Sequence, residues 1–325
     1  MSIPQQQHYV PRFLLKNFSS GKKPQVYVYD KSTDNEFRTH IKNVAAEKGF
    51  YDIDIDGDRY SLEPSFHRLE SNAAGIVRRL NSTKTLAVLD VHARAVLACL
   101  LAVQFVRTRQ HRLMFEHATQ QLAGKLRGMG ATEENVQELI GSDGVDAAKL
   151  FGVHAVLESR RFIPHFLDKE WLLFETSRRD PFLLSDHPIV LHNGTDQAPY
   201  GNLGLACKGI EIYLPLSTSL CLGMLCPSIG EQFRRAYENF EVLDRLAPGL
   251  ASATMSRPIG TRLICEGLVT GRAVPAGAEN VMFLNSLQVI HSSRFVFCEI
   301  QRFDLVKRMI ADSPKRRSGL LPVVS

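Results

Sequence analysis

The feature that most constrains this sequence is a change in its hydrophobic periodicity near residue 169. From about residue 62 to that point, apolar residues recur every three or four positions, which is the period of an amphipathic helix. After it, short runs rich in β-branched and aromatic residues are separated by Pro, Gly, Asn and Asp, which is typical of strands joined by turns. The pattern predicts an α+β fold, with an N-terminal helical block packed on a mostly antiparallel sheet.

We expect one large domain over residues 1–312, with a helical part at about 62–168 and a sheet-rich part at about 169–300, followed by a mobile basic tail over 313–325. Pro64 favours a first helical turn and begins a helix that runs to about Leu80. The stretch Thr85–Arg127 keeps the helical spacing and forms one long helix or two. Further helices are predicted from Thr132 and over Val145–Phe166, Ile229–Leu243, Glu279–Ser293 and Phe303–Ala311. Strands are predicted over Gln25–Asp30, Trp171–Thr176, Phe182–Ser185, Ile189–His192, Ile210–Leu214, Leu220–Leu225 and Phe295–Glu299.

At 325 residues, with 44% hydrophobic and 22% charged residues, the composition excludes collagen-like, low-complexity and wholly disordered chains. The longest nearly apolar run, Val96–Val106, is too short to cross a membrane. The first residues lack the basic and apolar regions of a secretory signal, and the six cysteines are scattered without a CxxC pair. We therefore expect no membrane partner, a cytoplasmic location and buried free thiols, while the oligomeric state stays open.

Charge is unevenly distributed along the chain, whose net charge is +5. Residues 86–130 and residues 302–317 each carry a net +4, whereas residues 30–70 carry a net −4. Basic segments of this kind are able to steer a phosphate-bearing partner such as a nucleic acid. The alternative is a solvated helix face and a soluble tail, because most charge runs are only that.

The segment Asp52–Glu63 matches the D-x-D-x-D-G-x5-E pattern of an EF-hand calcium loop. Arg59, however, occupies a position where that loop normally has an apolar residue, and no clear helix precedes the segment. Apolar and acidic residues alternate before Asp56-Gly57, a favoured two-residue turn, and this alternation favours a β-hairpin. The hairpin is the preferred interpretation, and a calcium or other divalent metal site is the less favoured one.

Two predicted helices carry polar residues at spacings that place them on one face. Glu63, His67 and Glu70 follow an i, i+4, i+7 spacing on the helix that begins at Pro64. Gln104, Arg107 (or Thr108) and His111 have a similar helical spacing on the stretch that follows. Facing helices of this kind predict a pocket in which Glu and His transfer protons or bind a metal and Arg binds an anion. The alternative is a structural ion pair between Glu70 and Arg107.

Ser185-Asp186-His187-Pro188 lies where a predicted strand ends, which is a frequent position for functional side chains. The alternative is a simple turn, because Ser and Asp often precede a turn and Pro favours one. The chain has no G-x-S-x-G nucleophile elbow, no dinucleotide-binding glycine pattern and no P-loop. Serine-hydrolase, dinucleotide and P-loop chemistry are therefore not supported.

The segment His8-Tyr9-Val10-Pro11-Arg12-Phe13-Leu14-Leu15-Lys16-Asn17-Phe18 resembles the opening motif of a bacterial family of uncharacterised proteins, His-Tyr-Val-Pro-x-Phe/Tyr-Leu-x-x-Phe. Looser similarity runs to about residue 298 and includes the Gln104–Thr108 helix and the Ser185–Pro188 turn. The resemblance implies no activity. It directs attention to polar positions that the spacing also selects, and the combined candidate site residues are His8, Glu63, Glu70, Gln104, Arg107 and Asp186.

The leading functional prediction is a hydrolase that acts on a phosphodiester or a nucleic acid through a composite His/Glu/Arg/Asp pocket. His8, Glu63 or Glu70 would act as acid, base or metal ligand, and Arg107 would bind the anion. Gln104 and Asp186 would position these groups. One alternative is a non-enzymatic binding protein whose polar cluster is structural, and another is an enzyme for a small anionic metabolite. The sequence leaves the identity and the need of a divalent metal open.

Overall fold

The computed structural model describes residues 6–55, 58–140, 145–195, 202–255 and 257–321. Its helices are α1 Arg12–Lys16, α2 Glu63–Thr83, α3 Val91–Val106, α4 Arg109–Gly128, α5 Glu133–Ile140, α6 Val145–Leu157, α7 Ile163–Leu167, α8 Pro227–Leu246, α9 Leu250–Thr254, α10 Pro258–Thr270, α11 Ala278–His291 and α12 Asp304–Asp312. Short 3-10 helices cover Ile41–Asn43, Leu86–Val88, Ser159–Phe162 and Pro314–Arg317.

The strands are β1 Gln6–His8, β2 Gln25–Asp30, β3 Asn35–His40, β4 Ala46–Lys48, β5 Asp52–Ile55, β6 Asp58–Ser61, β7 Glu170–Glu175, β8 Leu184–Ser185, β9 Val190–Asn193, β10 Ile210–Ser217, β11 Leu220–Leu225, β12 Val274–Pro275 and β13 Phe295–Cys298. One sheet has the order β12-β7-β11-β10-β9 and a second has the order β3-β2-β13-β8. The pairs β1-β4 and β5-β6 stand apart as two-stranded sheets. The α+β fold class is confirmed.

Helix α2 shows how the pattern of apolar residues fixes the architecture. Pro64 stands in its first turn, and Phe66, Ala73, Val77 and Leu80 are its buried side chains. These residues recur along one face of the helix, which packs on α3 and on the five-stranded sheet. The opposite face stays polar, so the side chains between the buried positions are free to line a surface feature.

The four-stranded sheet combines strands from both ends of the chain. We predicted that the strands after residue 169 would form one sheet, but β8 and β13 leave that group and join the N-terminal hairpin. β2 pairs antiparallel with β13, from Phe295 opposite Asp30 to Cys298 opposite Tyr27. Strand periodicity marks which side chains are buried but not which strand is the partner, so the sequence pattern could not show this pairing.

The N-terminal segment is docked against the body of the protein. β1 pairs with β4, with His8 opposite Ala46, and the Tyr9 backbone N–H donates to the Ala45 carbonyl at 2.9 Å. Tyr9 and Phe18 are fully buried in the main apolar cluster. The apolar residues of the opening motif therefore hold this segment in place and fix the position of His8.

The stretch predicted to form one long helix or two forms two, α3 and α4, which meet at a bend of 45°. Other segments differ from the predictions in detail. Taken singly, none of the helices in the described ranges is long and apolar enough to span a membrane. Helix α10 was not predicted. The segment expected as a mobile basic tail contains a 3-10 helix, Pro314–Arg317, and Gln110 donates a hydrogen bond to the Leu320 carbonyl, so this part is anchored to the fold.

Candidate functional site

A buried arginine joins the two helices that the sequence spacing singled out. Arg107 follows the last residue of α3 and is only 2% exposed. Its Nε donates to Gln104 Oε1 at 2.7 Å, and its Nη2 lies 2.7 Å from Glu70 Oε1 on α2. The guanidinium also lies over the Phe66 ring, 5.0 Å from the ring centre. The predicted pairing of Glu70 with Arg107 is present.

Gln104 fixes this arrangement to the N-terminal segment. Its Nε2 donates to the Tyr9 carbonyl at 3.0 Å, while its oxygen accepts from Arg107. Tyr51 contributes from the other side, because its hydroxyl donates to the carbonyls of Arg107 at 3.2 Å and His8 at 3.3 Å. The Gln104 amide and the Tyr51 hydroxyl are both hydrogen-bonded, and these contacts restrict the movement of Arg107.

Glu63 and His8 lie in the electrostatic field of the same ion pair. Burial and the nearby Glu70 charge raise the pKa of Glu63 to about 7, against the opposing effect of Arg107. Burial and the Arg12 charge lower the pKa of His8, although a hydrogen bond to the Ile41 backbone and the charge of Glu70 oppose the change. At neutral pH the folded protein therefore holds His8 neutral and Glu63 close to half protonated.

Three polar atoms of this cluster lack a hydrogen bond. Within the described part of the chain, His8 Nε2 and Glu63 Oε2 are buried and have no hydrogen-bond partner. Arg107 Nη2 keeps its ion-pair contact with Glu70 but makes no aligned hydrogen bond. Unsatisfied buried polar atoms are costly and are concentrated where a water or a ligand supplies the missing partner. We call His8, Glu63, Glu70, Gln104 and Arg107 the polar cluster.

A cleft of about 610 Å³ opens beside the polar cluster, between α1 and α2. Glu70 belongs to both features, because its side chain pairs with Arg107 and also lines the cleft. It is 25% exposed, in contrast to its partner. His67, one turn before Glu70 on α2, lines the same cleft. A carboxylate and an imidazole thus face one accessible space.

The opposite wall of the cleft is basic. Arg12 and Lys16 point outward from α1, whose Leu14 and Leu15 are buried, and Lys22 follows in the loop before β2. Sequence reasoning missed these three cations because it weighed longer charge runs. The sequence did contain a signal for a basic surface, since residues 1–29 contain four basic residues and no Asp or Glu.

Asp186 lies outside the polar cluster. Its carboxylate accepts from the backbone N–H groups of Ser293, Arg294 and Phe295 at 2.8 to 2.9 Å, and from the Ser293 hydroxyl at 2.7 Å. The residue is fully buried, and these contacts hold the start of β13 against the Ser185–Pro188 turn. The arrangement is that of a structural anchor, because all four donors come from one segment.

The acidic segment forms a hairpin, as preferred from the sequence. β5 and β6 pair antiparallel, with Asp52 opposite Ser61 and Ile55 opposite Asp58, whereas an EF-hand loop requires two flanking helices. Residues 56–57 lie outside the described residues. Among the residues that the structure describes, no group of three or more His, Cys, Asp or Glu side chains is arranged to hold a metal ion.

The two basic segments predicted to attract a polyanion use many of their cations internally. Arg94 donates to the Lys169 carbonyl, and Arg127 pairs with Glu133 at 2.6 Å. Lys307 lies 2.6 Å from Glu36 on the hairpin of β2 and β3. These contacts reduce the charge that either segment presents to a partner, and the N-terminal wall of the cleft becomes the better candidate surface.

The fold and site together define an α+β protein in which a buried ion pair supports the carboxylate of an open cleft. The chain belongs to the family described as protein of unknown function DUF4238, whose model matches residues 6–301. This match agrees with the resemblance seen in the opening motif. Comparisons with curated proteins and with solved structures found no match.

Proposed function

We propose that this chain is a hydrolase that cleaves phosphodiester bonds in the cleft between α1 and α2. Glu70 acts as the general base and His67 as the general acid. The observation that carries the proposal is the double position of Glu70, which faces the cleft while a fully buried arginine holds it. A carboxylate fixed in this way keeps one orientation toward a bound water.

The reaction needs two proton transfers, and the cleft supplies a group for each. Glu70 accepts a proton from a water molecule as the water oxygen attacks phosphorus. The bond from phosphorus to the leaving oxygen then breaks, and protonated His67 donates its proton to that oxygen. The products are a phosphomonoester and an alcohol. Histidine is the side chain that enzymes use most often as a general acid or base.

The polar cluster acts on this reaction through Glu70. Arg107 lies 2.7 Å from Glu70 Oε1, and Gln104 holds the arginine from the other side. Since Arg107 is buried and Glu70 is only 25% exposed, their ion pair is screened less by salt than a surface pair would be. Arg107, Gln104, Glu63 and His8 are therefore positioning residues, whereas Glu70 and His67 are the groups that touch the substrate.

The test is cleavage of end-labelled RNA and DNA by the purified full chain, in EDTA and in Mg²⁺, Mn²⁺ or Ca²⁺. We expect cleavage in EDTA, since the proposed acid and base are side chains of the chain itself. Loss of a general acid or base lowers the rate by about 10²–10⁴-fold, so Glu70→Gln and His67→Ala should each fall by at least about 100-fold.

Matched surface variants distinguish the loss of a catalytic group from a general effect of substitution on cleavage. Glu238→Gln and His92→Ala change the same residue types at exposed positions of α8 and α3. Both controls should retain full cleavage. The proposal is overturned if the wild-type chain cleaves neither nucleic acid, if cleavage needs a metal, or if folded His67→Ala is as active as the controls. His67 is exposed, so its replacement should leave the fold intact.

A further inference from the structure

The cleft carries more unpaired positive charge than the proposed chemistry requires. Arg12, Lys16 and Lys22 line it, and further cations flank it at Lys23, Arg38 and Lys42. Within the described ranges, none of these six side chains makes an ion pair, and all are exposed. Arg38 donates to the Ser20 hydroxyl at 3.2 Å, which places it beside the loop that forms the cleft wall.

The acids of the same region are already neutralised. On the hairpin of β2 and β3, Asp34 pairs with Arg317 and Glu36 pairs with Lys307. Asp30 pairs with Arg294 at 2.6 Å, so the acidic end of the hairpin faces away from the cleft and toward the C-terminal segments. Negative charge is thus compensated at one end of the hairpin, while positive charge remains uncompensated at the other.

The wall also offers an apolar surface between its cations. Phe13 stands between Arg12 and Lys16 in the chain, is half-buried, and lines the cleft together with Ile41 and Pro24. A strip of cations interrupted by an aromatic ring is the arrangement by which proteins hold single-stranded nucleic acid, because the cations follow the phosphates and a base stacks on the ring.

We infer that the cleft binds single-stranded nucleic acid, with successive phosphates on Arg12, Lys16 and Lys22 and one base against Phe13. This inference rests on the proposed function, since it names the substrate class of the same cleft. Glu70 lies within a recess rather than on a projecting element. A flexible strand can bring a phosphate into a recess, whereas a duplex is normally read by an element that enters its groove.

The dependence of binding affinity on salt concentration measures how many phosphates the cleft contacts. Three phosphate contacts on a single strand predict a slope of about −2 for log affinity against log salt, so affinity should fall about 20-fold between about 50 mM and about 200 mM salt. Each cation removed should make this slope shallower by about 0.7. The double variant Lys16→Ala/Lys22→Ala should therefore lose most of the salt dependence along with most of the affinity.

The experiment is fluorescence anisotropy in EDTA with labelled oligothymidylate, its duplex with oligodeoxyadenylate, an abasic strand of equal length, and thymidine monophosphate as competitor. The protein is the full chain with His67→Ala, so that cleavage does not disturb the titration. We expect tight binding of the single strand, weak binding of the duplex and weak competition by the mononucleotide. Phe13→Leu should weaken oligothymidylate binding by about tenfold or more and leave abasic-strand binding unchanged.

The matched control is Lys125→Ala/Lys315→Ala, which removes two exposed lysines from the basic segments outside the cleft. The inference is overturned if this control weakens binding as much as Lys16→Ala/Lys22→Ala does, if the duplex binds as tightly as the single strand, or if only the mononucleotide binds. The two proposals fail separately. Binding with no hydrolysis would refute the hydrolase, whereas cleavage of RNA or DNA without the expected preference for single-strand binding would refute only the present inference.

Discussion

Glu63 gives the sharpest test of the electrostatics of the polar cluster. Burial and the Glu70 charge raise its pKa from the ordinary 4.5 to about 7. At about 1.36 kcal/mol for each pH unit, that rise corresponds to an upper value of about 3.4 kcal/mol. Because the side chain keeps partial contact with solvent, we expect about 1–2 kcal/mol.

The sign of the stability change with pH follows from which state of the protein, folded or unfolded, binds the Glu63 proton more tightly. The folded protein has the higher pKa, so protonation of Glu63 stabilises it. This stabilisation is fully present below pH 4.5, the unfolded value, and is lost as the pH rises through about 7. Glu63→Gln removes the ionisation, so the variant should be close to the wild type near pH 4, below the unfolded value, and exceed its free energy of unfolding by about 1–2 kcal/mol near pH 8.

Urea denaturation at a series of pH values measures this difference directly. Glu238→Gln, an exposed control on α8, should show a difference that is small and independent of pH. A Glu63→Gln variant that is less stable than the wild type near pH 8 would refute the reasoning. It would mean that the pKa of Glu63 is not raised in the folded protein and that Arg107 stabilises its charge.

Three further outcomes follow from contacts described above. Arg107→Met leaves the Glu70 carboxylate and the Gln104 oxygen without their partner, so urea denaturation should show a loss of about 3–5 kcal/mol. A loss below about 1 kcal/mol would show that the ion pair contributes little. Asp186→Asn replaces an acceptor of several backbone N–H groups with a partial donor, and the melting temperature should fall by the equivalent of about 1–3 kcal/mol while cleavage by the folded fraction is retained. Burial alone would raise the pKa of Cys226, but neighbouring hydrogen bonds and the Lys169 charge lower it, so iodoacetamide should label Cys226 well before the buried Cys221 in the native protein, as mass spectrometry of peptides would show.

Helical segments were predictable because their signals are local. Pro64 marked the first turn of α2, and the periodicity through residues 85–127 anticipated α3 and α4. The same periodicity placed Glu63, His67 and Glu70 on one helix face, and the ion pair of Glu70 with Arg107 was one of two interpretations of that face. The pattern of apolar residues did not show the bend between α3 and α4. Thr108 was a local signal for it, because threonine often stands just before the first turn of a helix. Its hydroxyl accepts a hydrogen bond from the His111 N–H.

Tertiary pairings were not predictable from local signals. Nothing in the pattern of Gln25–Asp30 indicates that its partner is Phe295–Cys298. The same limit explains Asp186, whose position after a strand fits a functional residue and an anchor equally well. Only the positions of the donors at residues 293–295 distinguish the two. The basic wall of the cleft was missed because its cations are spread over a helix, a loop and a hairpin.

The pairing of β2 with β13 has a consequence for how the molecule is completed during synthesis. β2 lies between β3 and β13 in its sheet, so the N-terminal segment carrying the basic wall stays without one of its supports until almost the whole chain has been made. Contacts between such distant segments form late, because a long loop must close first. A chain that stops before Phe295 would contain Glu70, His67 and all the cations of the cleft. It would still lack β13, the strand that pairs with β2 directly after the loop of the basic wall.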